Sequence, residues 1–80
     1  MTKYDLPNKL FEILRTLGGE ATILEVCKTF WGTYENELRN SGDLFYTWQY
    51  DIRWAATDLR KNGRMVAAEI SSRGVWELKI

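Results

Sequence analysis

The stretch TWQYDIRWAATDLRKNGRMVAAEISSRGVWELKI, residues 47–80, changes its hydrophobic period partway along, and that change decides the fold. From Thr47 to Asn62 the apolar residues Trp48, Ile52, Ala55, Ala56 and Leu59 recur at helical spacing, with Thr47 placed as N-cap and Gly63 as left-handed C-cap. Beyond Gly63 the period drops to two. Val66, Ala68 and Ile70 alternate with Met65, Ala67 and Glu69, and Trp76, Leu78 and Ile80 alternate with Val75, Glu77 and Lys79. Ser71-Ser72-Arg73-Gly74 separates the two runs with glycine last, which predicts a β-hairpin loop.

Upstream, Asp5 and Pro7 suit a helix start, and Leu6, Leu10, Ile13, Leu14 and Leu17 form one face until Gly18-Gly19 ends it. Glu20-Ala21 is short enough to be a minor strand. Thr22 and Glu25 have the spacing of a capping box, in which each side chain accepts from the other residue's amide. The stripe Ile23, Cys27, Phe30, Trp31, Tyr34 and Leu38 then predicts a second helix to about Asn40, with Gly32 either inside it or marking a break. Ser41-Gly42-Asp43 reads as a turn, and Leu44-Phe45-Tyr46 as an apolar bridge tucked against the core. The expectation is a single α+β domain over residues 1–80: a winged helix-turn-helix, three helices followed by a C-terminal β-hairpin wing, with helix three as recognition helix.

Eighty residues with 45% hydrophobic and 28% charged composition describe one small globular domain rather than a disordered or fibrous chain. No apolar stretch approaches the ~20 residues needed to span a bilayer, and no signal-peptide pattern opens the chain, so a cytoplasmic protein without a membrane partner is expected. The single cysteine, Cys27, has no partner for an internal disulfide and reads as a small core residue. The absence of histidine removes the commonest general base and metal ligand. A core filled by eleven aromatic residues leaves little enclosed volume, so function is expected at the surface.

Charge is balanced at 11 basic and 11 acidic residues but unevenly spread. Residues 1–52 carry five bases against eight acids, and residues 53–80 carry six against three. At about 100° per residue, the face of helix three opposite its core stripe carries Gln49, Tyr50, Arg53, Thr57, Arg60 and Lys61, while Asp51 and Asp58 fall together on one flank. A merely solvated helix interleaves opposite charges as i, i+4 pairs. Arg53 and Gln49 have the donor geometry for guanine and adenine edges. Tyr50, Thr57, Arg60, Lys61 and Arg64 suit phosphates, and Arg73 at the hairpin tip suits a minor groove or phosphate. Trp54, at the edge of this face, is expected to pack under the hairpin. Double-stranded DNA is the expected partner, and the limited reach of one module makes a homodimer a natural form of it.

The segment Trp48 to Leu78, with Arg53-Trp54-Ala55, Leu59, Gly63 and above all Arg73-Gly74-Val75-Trp76-Glu77-Leu78, resembles the N-terminal winged-helix domain of Mrr-type restriction endonucleases. In that family the module is taken to bind DNA and a nuclease domain follows it. The resemblance implies a stand-alone DNA-binding protein, a regulator or an accessory factor of a restriction-type system or mobile element. It does not imply cleavage, because these residues include no counterpart of the nuclease domain. Ser71-Ser72 stands where the family pattern leads one to expect a proline.

Catalysis is not expected. Glu77-Leu78-Lys79 has the Glu-x-Lys form of restriction-type nuclease sites, but the candidate second acids are Glu69, across the expected hairpin, and Asp58, on a helix. No phosphate-binding glycine loop, Cys/His cluster or nucleophile with a base is present, and no cofactor is expected. The rival reading is a protein-interaction module on the same scaffold. Its support is the zero net charge, the acidic first two helices and the surplus aromatics Phe11, Phe45, Tyr46 and Trp54.

Overall fold

The computed structural model describes residues 1–79. A 3-10 turn at Lys3–Asp5 leads into α1 (Leu6–Thr16), β1 (Glu20–Thr22), α2 (Ile23–Arg39), α3 (Leu44–Lys61) and β2 (Val75–Glu77). This is an α+β arrangement of three helices and a two-stranded antiparallel sheet. The Asp5 carboxylate accepts from the Thr2 amide at 2.8 Å, and that bond holds its pKa below the usual carboxylate value. α1 buries Leu6, Leu10, Ile13 and Leu14, the expected face.

The capping box forms as its spacing predicts. The Glu25 amide donates to Thr22 Oγ1 at 3.1 Å, and the Thr22 amide donates to Glu25 Oε1 at 3.2 Å. Thr22→Ala is therefore expected to lower stability by about 1 kcal/mol in a urea melt, with Thr22→Ser close to wild type. α2 runs on past Gly32 and bends at Tyr34, whose φ of −116° and ψ of 16° lie off the helical values. Its buried residues are Val26, Phe30 and Leu38, with Ile23, Cys27, Trp31 and Tyr34 half-buried around them. Val26, one turn before Phe30, belongs to the core face and was missing from the expected stripe.

Trp48 of α3 links the two long helices. Its ring stacks on Phe30 at 5.6 Å and on Trp31 at 6.0 Å between centroids. Such offset aromatic pairs contribute ~0.5–1.5 kcal/mol each beyond their burial. α3 also starts a turn earlier than expected. Thr47 is not its N-cap, and Leu44-Phe45-Tyr46 is its first turn rather than a bridge. The reason is packing: Leu44 lies at i−4 from Trp48 and is buried on the same face, so helix propagates back to it. The Thr47 hydroxyl donates instead to the Asp51 carboxylate at 2.7 Å. At the other end Gly63, with φ +73°, closes the helix as expected. Its amide bonds Arg60 O and the Arg64 amide bonds Leu59 O, the paired pattern of a Schellman cap.

The C-terminal return departs from a regular hairpin. Among the described residues its arms meet where the Val66 amide donates to Glu77 O, the Lys79 amide donates to Arg64 O, and Met65 bridges Leu78. The expected strand through Ile70 does not form; the chain from Ala67 to Ser71 curls into a turn, with the Ile70 and Ser71 amides both bonded to Ala67 O. Two alanines and a glutamate give that stretch little β preference, and the Ser71 hydroxyl reaches the carbonyls of Ala67 and Val75. β2 finds its regular partner elsewhere, pairing antiparallel with β1 in the register Glu20–Glu77, Ala21–Trp76, Thr22–Val75. Ile80, expected on the second arm, lies outside the described residues. The sheet's inward residues Ala21, Met65 and Trp76 join the helical core.

Candidate nucleic-acid interface

The C-terminal return sets a loop beside α3. The Val75 amide turns back to Ser72 O, Gly74 adopts φ +74°, and its carbonyl accepts from the Ile23 amide at 3.0 Å. Residues 72–74 are thus tied to the start of α2, and Arg73 is held next to the outer flank of α3.

A groove of about 380 Å³ lies between that flank and the loop. Arg53, Thr57, Arg60 and Arg73 line it, together with Ser71 and Ser72. It shares Ile23 and Arg53 with a second concavity of about 700 Å³ between α2 and the first half of α3. The second wall is mainly apolar (Leu24, Cys27, Trp31, Phe45, Trp48) and adds Lys28 and Gln49. Among the described residues no aspartate or glutamate lines either concavity. Burial pushes the Cys27 thiol above its ordinary pKa, against the opposing effect of the Arg53 charge, so it remains a neutral part of that wall at pH 7.

The arginines here are not consumed by ion pairing. Among the described residues the ion pairs are Lys9–Glu37, Arg15–Glu12 and Arg39–Glu35, none of which involves Arg53, Arg60 or Arg73. Arg53 is exposed, while Arg60 is half-buried and anchored by its Nε donating to Val66 O at 3.3 Å. Three guanidinium groups and the Ser72 hydroxyl facing one concavity, with no carboxylate lining it among the described residues, make a surface of positive potential rich in donors. Phosphate oxygens match that chemistry through charge-assisted hydrogen bonds.

Five of the eight expected contact residues lie along this continuous surface: Arg53, Thr57, Arg60 and Arg73 in the smaller groove, and Gln49 in its neighbour. Three do not. Tyr50 lies on the opposite flank of α3, beside Trp54. Lys61 is exposed at the end of α3 and lines neither concavity. Arg64 lies over the Phe11 ring at 5.1 Å, on the α1 side. Trp54 does not pack under the return: it is 57% exposed, because α3 turns Arg53 and Thr57 toward the loop while Met65 and Trp76 fill the sheet's inner face. Lys28, Ser71 and Ser72 join the surface although they are not among the expected contact residues. Their signal was the capping box that starts α2 and the turn residues themselves.

For the Glu-x-Lys pattern, the acid opposite Glu77 is Glu20 of β1, whereas Glu69 sits in the turn. Among the described residues no group of three or more His, Cys, Asp or Glu side chains gathers to hold a metal ion. Among the described residues no helix is long and apolar enough to cross a membrane. No family model, curated protein or solved structure was found to match the chain.

Proposed function

We propose that the protein binds double-stranded DNA as a winged-helix module, with α3 as the recognition helix and the 71–74 loop as the wing tip. The observation that carries this reading is the groove in which Arg53, Arg60 and Arg73 converge with hydroxyl side chains and no carboxylate. Arg60, fixed by Val66 O, and Arg73, on the tethered loop, engage phosphates and set the register. Arg53 and Gln49, exposed on α3, reach base edges in the major groove. Ser72 adds a neutral donor to phosphate oxygens, while the hydroxyls of Thr57 and Ser71 are engaged by the carbonyls of Arg53 and of Ala67 and Val75. The role is recognition rather than catalysis, that of a cytoplasmic regulator or accessory factor of the kind implied by the resemblance to Mrr-type N-terminal domains. Two copies on adjacent half-sites would supply the affinity a single small module lacks.

The test is a fluorescence-anisotropy titration of a short random-sequence duplex at several salt concentrations. Engagement of about three to five phosphates predicts a log–log slope near −3 to −4.5. A flat response, or no binding at low salt, would overturn the proposal.

A further inference from the structure

The other flank of α3 carries a different chemistry. Tyr4, Tyr50 and Trp54 surround a concavity of about 430 Å³ whose lining also includes Lys3, Asp51 and Asp58. These aromatic side chains are 80%, 64% and 57% exposed, a cost in hydrophobic burial that three neighbouring residues share on one surface. Tyr50 and Trp54 meet edge to face at 6.3 Å. Asp51 accepts from Thr47, and neither Asp51 nor Asp58 is in an ion pair among the described residues.

From this we infer a second binding site, for a cationic side chain of a partner protein, formed by Tyr4, Tyr50 and Trp54 with Asp51 and Asp58. Aromatic faces attract a lysine ammonium or arginine guanidinium through the ring quadrupole, and the two carboxylates supply the charge complement. The chain already shows the first half of this chemistry, with Lys3 Nζ lying 5.5 Å from the centroid of the Tyr4 ring. The carboxylates decide against nucleic acid: bases stack readily on exposed tyrosine and tryptophan, but their phosphates would meet Asp51 and Asp58. α3 therefore divides its surface, presenting cations to a polyanion on one flank and an acidic aromatic face to a basic polypeptide on the other. The inference stands independently of the DNA reading.

The probe is a hexa-arginine peptide titrated into the ¹⁵N-labelled protein, followed by the Trp54 indole and the amides of Tyr4 and Tyr50. Saturable shifts at these positions are expected. Trp54→Ala and the double variant Asp51→Asn/Asp58→Asn should each weaken binding by about tenfold or more, while Arg53→Gln/Arg73→Gln should bind the peptide as wild type does. Three results would overturn the inference: shifts centred on the acidic face of α2 around Glu35 and Glu37, unchanged affinity in both weakened variants, or saturable binding of a short oligothymidylate at Trp54. Self-association that disappears in Asp51→Asn/Asp58→Asn would also overturn it, because the occupant would then be a second copy of the chain.

Discussion

Converting Arg53, Arg60 and Arg73 together to glutamine is expected to reduce duplex affinity by at least about a hundredfold at low salt. In the proposed complex each guanidinium would make charge-assisted bonds worth ~1.5–3 kcal/mol, and even partial loss of three of them would exceed ~3 kcal/mol. The log–log salt slope should fall by roughly one unit for each phosphate contact removed. Arg53→Gln alone should blur sequence preference and leave residual binding, because a base contact specifies while phosphate contacts hold. The fold should survive. Glutamine is nearly as good a helix former as arginine, Arg53 is exposed, and only the Arg60–Val66 bond is lost, at about 1 kcal/mol. Circular dichroism of the triple variant separates lost binding from lost structure.

The largest stability effect is expected at Trp76. It is the one buried residue of β2, faces Ala21 across the sheet and belongs to the same core as the three helices. Trp76→Ala removes a large buried side chain and leaves a cavity, at a cost of ~3–5 kcal/mol. Small domains have a total stability of ~5–15 kcal/mol, so a large part of the molecule's margin is lost. Urea denaturation followed by far-ultraviolet circular dichroism should show a midpoint lowered by more than that of any surface variant. A conservative Trp76→Phe should recover much of it. Because β2 leads directly out of the 71–74 loop, Trp76→Ala is also expected to weaken DNA binding, and Trp76→Phe to restore it in parallel with stability.

The helical part of the fold was legible because its signals are local. The Thr22–Glu25 box, Gly63 and the face of α1 each depend on residues within a turn or two of one another. What failed depends on distant partners. Nothing near Thr47 reveals that Leu44 has room beneath Trp48 to extend the helix, and period-two alternation over residues 65–70 does not disclose that β2 pairs with Glu20–Thr22. A stretch that alternates but contains two alanines settles into a turn once its partner strand is engaged elsewhere. The site shows the same division. Helical rotation alone places Arg53, Thr57 and Arg60 on one side of α3 and Asp51 and Asp58 on another. It does not say which flank the loop will cover. That is why Tyr50 and Lys61, adjacent on the wheel, fall outside the groove, while Ser71 and Ser72, read only as turn residues, fall inside it.

The most direct test of the proposed DNA-binding face is an NMR titration of the labelled protein with a short duplex. Shifts should concentrate on Arg53, Thr57, Arg60 and residues 71–74, with a smaller response at Gln49 and none at the Trp54 indole. Perturbations centred on Tyr4, Tyr50 and Trp54 with a silent arginine groove would contradict the account.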